Sequence, residues 1–130
     1  MPDDELHEFF GRYVAALNTH EFVGLSEFME DNLIVNGRPA TREQVIAGLE
    51  GHIAAVPDLV WRTEHVAVER GQVAARFINK GTPIKEWLGA EPNGATVEYA
   101  EHTFHKVRDG KFYELNFLLD EASVRNQLGS

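Results

Sequence analysis

The 130-residue chain contains no cysteine. Disulfide bonds, thiolate nucleophiles and sulfur-ligated metal sites are therefore excluded. No apolar run approaches the roughly 20 residues that a membrane-spanning helix needs. Internal repeats, low-complexity tracts and linkers are also missing, and a chain of this length can bury roughly two-thirds of its unfolded surface in one core. We therefore expect residues 1–130 to form a single domain.

Positive charge is scarce, because 12 Lys and Arg stand against 21 Asp and Glu and give a net charge of −9. Nucleic acids and anionic membranes need a cationic surface, so we expect neither as a partner. The N-terminus is acidic at Asp3, Asp4 and Glu5, whereas a secretory signal begins with basic residues followed by an apolar stretch. A cytoplasmic protein is the resulting expectation.

Spacings typical of metal and cofactor sites are absent as well. His102 and His105 lie three residues apart on a predicted strand, so they face opposite sides and cannot chelate one ion together. No helical His-x-x-x-His pair and no dinucleotide-binding or phosphate-binding glycine loop occurs. We therefore expect no metal and no cofactor.

The first half of the chain shows helical periodicity. Apolar residues recur at helical spacing from Leu6 to Leu17, which predicts a first helix capped by Asp3 or Asp4. A shorter helix is expected to bury Phe22, Leu25, Phe28 and Met29. A short strand at residues 33–35 should end at the Asn36-Gly37 turn. The capping box that runs from Thr41 to Gln44 then opens a helix that stops before Pro57.

After Pro57 the pattern changes to the alternation of β-strands. Strands are predicted at residues 59–69, 72–80, 95–107 and 111–119, and Asp120 should cap a final short helix that ends before Gly129. Helices followed by a run of hairpin strands indicate an α+β fold. We expect N-terminal helices to cover a curved antiparallel sheet and to enclose a pocket.

The hairpin at Arg108-Asp109-Gly110 decides which side chains face that pocket. A two-residue turn would gather Phe104, Leu115, Phe117 and Leu119 as core, whereas a three-residue turn with a bulge at Gly110 gives the opposite set. With three residues, Val107 pairs with Lys111. The inward face then holds Tyr99, Glu101, Thr103, His105, Val107, Tyr113, Leu115, Phe117 and Leu119.

The outward face of the same hairpin would hold Phe104, Phe112 and Leu118. Exposed apolar patches of this kind usually mark contacts between proteins. This face therefore predicts a homodimer.

Several short segments, taken in order, carry a family resemblance. They are Ala16–Thr19 at the end of the first helix, Pro57–Leu59 before the long strands, Val107–Lys111 at the hairpin, and Asp120 with Gln127–Gly129 at the end. The order and spacing resemble the SnoaL-like, polyketide cyclase-like group of the nuclear transport factor 2-like superfamily over nearly the whole chain. The resemblance implies a cone-shaped fold, and it favours the three-residue turn.

The resemblance does not carry over the catalytic residues of that group. Its acid–base ester cyclases place an Asp seven residues after the hairpin glycine and a His seven before it, and these positions are Phe117 and Thr103 here. A Gln nine residues before the glycine corresponds to Glu101. The related limonene epoxide hydrolases use an Asp and an Arg where this chain has Asn79 and Phe77. These replacements count against a cyclase and favour a binding module.

Glu101 is the residue on which an enzymatic hypothesis depends. If it faces inward beside Leu115 and Phe117, an apolar setting raises the pKa of its carboxyl group and makes it a usable acid or base. A surface carboxylate, or a buried one satisfied by a neighbour, is the alternative. We predict a catalytic role for Glu101.

Six further residues are predicted to bind a ligand. Asn79 is unusual within a strand, Asn36 is first of all a turn residue, and the aromatic residues also suit an ordinary core. The set consists of Asn36, Asn79, Trp87, Tyr99, Thr103 and Phe117.

Three functions remain open on the sequence. The chain could be an isomerase, cyclase or hydratase that acts on a small apolar carbonyl compound. It could instead be a non-catalytic module that binds a small apolar molecule, or a dimeric interaction domain. Fold resemblance alone does not separate them.

Overall fold

A computed structural model describes residues 1–129 and shows the α+β fold that the sequence predicts. Three α-helices, one short 3₁₀ helix and seven strands follow one another along the described chain. Their order is α1 (Asp3–Asn18), the 3₁₀ helix (Phe22–Glu27), β1 (Met29–Val35), β2 (Arg38–Thr41), α2 (Arg42–Ala55), β3 (Thr63–Glu69), β4 (Gln72–Gly81), β5 (Val97–Arg108), β6 (Lys111–Leu115), β7 (Phe117–Leu119) and α3 (Glu121–Gln127).

The strands form one curved, open sheet in the order β2-β1-β6-β5-β4-β3, and β7 pairs with β5 beyond the end of β6. All pairs are antiparallel except β1 with β6. The helix α1 covers the concave face with its apolar stripe. Leu6, Phe10, Tyr13 and Leu17 are buried as the spacing predicts, Val14 is partly buried, and Phe9, which the prediction did not include, is buried with them. No helix in residues 1–129 is both long and apolar enough to cross a bilayer.

The start of α1 differs from the prediction. Pro2 occupies the N-cap position and no side chain caps the helix, so the expectation of a cap at Asp3 or Asp4 was wrong. Asp3 instead accepts a hydrogen bond from the backbone N–H of Arg70 at 3.1 Å. Both aspartates lie in the first turn, where negative charge favours the helix dipole.

The start of α2 agrees with the prediction. Thr41 Oγ1 accepts from the backbone N–H of Gln44 at 3.2 Å, and Gln44 Oε1 accepts from the backbone N–H of Thr41 at 2.9 Å. This reciprocal pair satisfies two backbone N–H groups at the start of α2. At the other end of the chain, Asp120 caps α3 as predicted by accepting from the backbone N–H of Ser123.

Two strand boundaries were predicted wrongly for identifiable reasons. Met29 begins β1 instead of ending a helix, and the Asn36-Gly37 turn leads into the additional strand β2. Pro39 weakens the sequence signal of β2, which is tolerated because β2 is an edge strand. The regular strand predicted from residue 59 starts at Thr63, although Val60 already pairs with Lys80 in the same register.

The hairpin turn is also different from the prediction. Arg108 pairs with Lys111, so Asp109 and Gly110 form a two-residue turn with φ values of 52° and 77°. The register then shifts by one residue between Val107 and Lys106. The strand β6 carries the extra residue, and this β-bulge restores the predicted alternation beyond it.

Because of the bulge, two aromatic residues lie on the opposite faces from those predicted. Phe112 is fully buried in the core instead of facing outward, whereas Tyr113 lies under the guanidinium of Arg108 at 4.3 Å from its ring centre. Past the bulge, Phe117 pairs with Thr103. The apolar patch predicted on the outer face is therefore reduced to Phe104 and Leu118, which are 43% and 73% exposed.

Candidate functional site

A cavity of about 210 Å³ lies between α2 and the concave face of the sheet. It is larger than the roughly 150 Å³ apolar cavity that is known to hold benzene. Its walls are mostly apolar, with a few polar side chains set among them. This composition is typical of small-molecule sites.

One face of α2 forms a wall of this cavity. Val45, Gly48, Leu49 and His52 recur there at helical spacing and all line the space. Ala55 is the only buried residue of α2, because this helix covers a cavity and not a packed core. A Cβ atom added at Gly48 would meet no atom within 4 Å, so the wall is open at this point.

The opposite wall is a row of alternate residues on β5. Tyr99, Glu101, Thr103 and His105 all line the cavity. Neighbours in this row lie about 7 Å apart along the strand, because every second residue points to the same face. The inward face of β5 is the one predicted, although the turn that led to the prediction is different.

Glu101 is the only carboxylate in the lining of the cavity within the described chain. Its Oε1 accepts a hydrogen bond from Asn79 Nδ2 at 2.7 Å. Burial raises the pKa of Glu101 to about 7, and hydrogen bonds from Asn79 and Trp61 act in the opposite direction. The carboxyl group is therefore poised to gain or lose a proton near neutral pH.

Asn79 is fully buried on β4 behind this carboxylate. Its Oδ1 has no hydrogen-bond partner among residues 1–129. An amide carries both a donor and an acceptor, so a half-turn of the Asn79 side chain would present Oδ1 to a protonated Glu101. Asn79 can thus serve either protonation state of the carboxyl group.

Two neutral histidines border the same space. His105 Nδ1 accepts from the backbone N–H of Asn116 at 3.2 Å, and His52 Nδ1 accepts from Trp87 Nε1 at 2.9 Å. Burial lowers the pKa of both rings, that of His105 to about 4. Both rings are therefore uncharged near neutral pH and carry their hydrogen on Nε2. His102 is exposed on the other face of β5, as predicted.

The structure brings four of the seven predicted site residues directly to the cavity: Tyr99, Glu101, Thr103 and Phe117. Asn79 lies behind Glu101, and Trp87 lies behind His52. Asn36 lies outside the cavity, where its Oδ1 accepts from the backbone N–H of Phe117 at 2.9 Å. Their roles in binding or catalysis remain predictions.

The sequence reasoning missed His52 and Tyr13 as cavity residues. His52 shares the helical spacing of Val45 and Leu49, so the period of α2 could have placed it on the inner face. Tyr13 belongs to the α1 stripe and was interpreted only as core. Burial raises its pKa, and the charge of Glu101 adds to the effect.

The positions that the resemblance assigns to a catalytic His and Asp are direct neighbours. They hold Thr103 and Phe117, which pair across β5 and β7. Thr103 Oγ1 is buried and has no hydrogen-bond partner among residues 1–129. In that part of the chain, no three His, Asp or Glu side chains are grouped so that they could hold a metal ion.

The helices, the curved sheet and the enclosed cavity define a cone-shaped domain of the nuclear transport factor 2-like kind. The family model for SnoaL-like polyketide cyclases matches residues 7–128. The chain belongs to this family. A comparison with curated proteins gives no match.

Solved structures agree with this assignment. A SnoaL-like polyketide cyclase from Agrobacterium tumefaciens C58 is 29% identical, with a TM-score of 0.88 over 95% of this chain and 98% of that chain. Wild-type IdmH from Streptomyces antibioticus is 22% identical, with a TM-score of 0.85 over 95% and 98%. TsrD from Streptomyces laurentii is 20% identical, with a TM-score of 0.88 over 99% and 98%. The last two comparisons concern the fold alone.

Proposed function

We propose that the cavity binds a small, largely apolar carbonyl compound and that Glu101 transfers a proton to or from it. The reaction would be of the isomerase, cyclase or hydratase type. The observation that supports this most is the position of the Glu101 carboxylate. The carboxylate lies in an apolar cavity and accepts a hydrogen bond from Asn79 at 2.7 Å, and its pKa is raised to about 7.

The proposed step begins with the ionised carboxylate. Glu101 removes a proton from the carbon next to the carbonyl group, and the electron pair of the broken C–H bond moves onto the carbonyl oxygen as an enolate. The proton then resides on Glu101, and a half-turn of Asn79 lets its Oδ1 accept from the new O–H group. Return of the proton to carbon or oxygen completes the step and regenerates the carboxylate.

Deuterium exchange tests this proposal without knowledge of the natural substrate. The protein is incubated in D₂O with 2-acetylnaphthalene, and NMR follows deuterium uptake into its methyl group. We expect exchange above the buffer rate, loss of this exchange in Glu101→Gln, and full exchange in Glu98→Gln. Glu98 is a matched control because it lies on the exposed side of the same strand. Equal exchange in Glu101→Gln and the wild type would overturn the catalytic proposal.

A non-catalytic binding module is the second candidate. It is favoured by Thr103 and Phe117, neither of which ionises, at the positions where the resemblance expects an acid–base pair. In that case 2-acetylnaphthalene would bind, but the wild type would not exchange its methyl protons. A fluorescence titration that measures binding of 2-acetylnaphthalene, together with the exchange experiment, therefore separates the two candidates.

We further propose that the chain forms a homodimer through the outer face of the sheet. Phe104 and Leu118 remain exposed there even though Phe112 belongs to the core. Sedimentation at tens of micromolar should give a dimer, and Leu118→Asp should shift it toward the monomer. A monomeric wild type under these conditions would contradict the proposal.

A further inference from the structure

His52 has a fixed hydrogen-bonding state at the edge of the cavity. Its Nδ1 accepts from Trp87 Nε1 at 2.9 Å. Indole N–H is only a donor, so Nδ1 must keep its lone pair. The neutral ring therefore carries its hydrogen on Nε2, and a proton added at Nδ1 would break the contact with Trp87.

The surroundings hold this arrangement in place. Trp87 is 5% exposed and packs edge-on against Tyr99, with 5.4 Å between the ring centres. His52 lies on the cavity face of α2 together with Gly48 and Leu49. Within the described chain no group accepts a hydrogen bond from His52 Nε2, although the charge of Glu121 acts on the ring. The ring lines the cavity, so a molecule bound there is a candidate acceptor for this N–H group.

The charge of the cavity restricts what that molecule can be. The described lining contains no Lys or Arg, and its histidines are held neutral by their partners. Glu101 is the one group there that carries charge when ionised. A buried anion without a counter-charge is strongly disfavoured, and the carboxylate of Glu101 would repel it further.

We infer that the cavity excludes anions and takes compounds that carry a hydrogen-bond acceptor, and that His52 Nε2–H recognises this acceptor. The inference rests on the proposed binding function. It adds to that function the class of ligand and the residue that recognises the ligand. His52 is a binding residue in this scheme, and Trp87 positions it. A purely structural role, in which His52 only satisfies the buried indole, predicts no effect on ligand choice.

Three naphthalene derivatives of similar size test the inference. 2-Acetylnaphthalene has an acceptor, 2-ethylnaphthalene has none, and 2-naphthoate is anionic. The measured quantity is the ratio of the Kd of the ethyl compound to that of the acetyl compound, obtained by fluorescence titration. Because one hydrogen bond contributes about 0.5–1.5 kcal/mol, we expect this ratio to fall about two- to twelvefold in His52→Leu.

Two further variants and one spectrum complete the design. His52→Gln places an amide N–H near the position of Nε2 and should keep much of the ratio. Glu50→Leu, on the exposed side of α2, should keep all of it. In ¹⁵N NMR spectra, the Nε2 signal of His52 should shift on addition of 2-acetylnaphthalene and stay in place with 2-ethylnaphthalene.

Each outcome decides something different. If neither neutral compound binds the wild type, the proposed function and this inference both fail. If both bind but the ratio is unchanged in His52→Leu, the inference alone fails and the cavity remains a binding site. If 2-naphthoate binds as tightly as 2-acetylnaphthalene, the exclusion of anions is wrong.

Discussion

The pH dependence of stability should reveal Glu101 most directly. Its pKa rises from the ordinary 4.5 to about 7 on folding, mainly through burial. The folded protein therefore holds a proton that the unfolded chain has already released above pH 4.5. Stability from this group is fully present below pH 4.5 and is lost as the pH rises toward 7.

The size of the effect follows from the shift. At 1.36 kcal/mol per pKa unit, a shift of about 2.5 units corresponds to about 3 kcal/mol. This is an upper figure, because one side of the carboxyl group is open to the cavity.

His105 should oppose this effect in the wild type. Burial lowers its pKa from 6.5 to about 4, so folding excludes a proton that the unfolded chain would bind. Stability from His105 is present above pH 6.5 and is lost as the pH falls toward 4. Between pH 4.5 and 6.5 the two slopes have opposite signs and similar size, so these two groups largely cancel.

Glu101→Gln removes the contribution of Glu101 to the pH dependence of stability and leaves that of His105. The variant keeps the shape and an amide hydrogen bond but cannot ionise, so its free energy of unfolding relative to the wild type should grow by up to about 3 kcal/mol between pH 4.5 and 7.5. Urea unfolding at half-unit pH steps measures this difference directly. Glu98→Gln should run parallel to the wild type. A Glu101→Gln difference that stays constant across this pH range would refute the buried, proton-holding carboxyl group.

Three other expectations follow from the geometry. Gly48→Ala and Gly51→Ala should each stabilise α2 by about 1 kcal/mol in chemical denaturation. Only Gly48→Ala adds a methyl group at the cavity wall, so only this variant should weaken the binding of 2-acetylnaphthalene. Equal affinity in both variants would contradict the position assigned to Gly48. Phe117→Asp should lower the melting temperature only modestly, because Phe117 is 36% exposed, and it should not create cyclase activity without a His at position 103; a loss as large as for a buried core residue would show that Phe117 is more enclosed. Asn79→Leu should raise the pKa of Glu101 further in an NMR titration, because the hydrogen bond that Asn79 donates to the carboxylate is stronger than the one it would accept from the neutral acid; an unchanged pKa would mean that Asn79 stabilises both protonation states equally.

The sequence predicted the elements of the fold well where local chemistry decides them. The capping box at Thr41, the cap at Asp120 and the period of α1 each depend on neighbours within a few residues, and the structure confirms all three. The strand β2 and the start of β3 depend on distant partners. Asn18 takes the N–H of Trp61 from 43 residues away, and no local pattern could show this.

The candidate site was only partly predictable for the same reason. The alternation of β5 placed Glu101 and Thr103 on one face, but the contact between Asn79 and Glu101 requires the pairing of β4 with β5. The hydrogen bond from Trp87 to His52 joins a helix to an irregular loop. Its two residues lie 35 positions apart, beyond the reach of any periodicity argument.

Because of the bulge in β6, the length of the hairpin turn alone does not decide which side chains face the cavity. A turn shortened by one residue would normally rotate every later side chain to the other face. Here the extra residue at Tyr113 absorbs the change, so Leu115 and the residues of β7 keep their side. A three-residue turn without the bulge would keep the same side chains on the cavity face, but it would place Leu115 in place of Phe117 opposite Thr103. The turn and the bulge together therefore decide which residue of this segment lies beside Thr103.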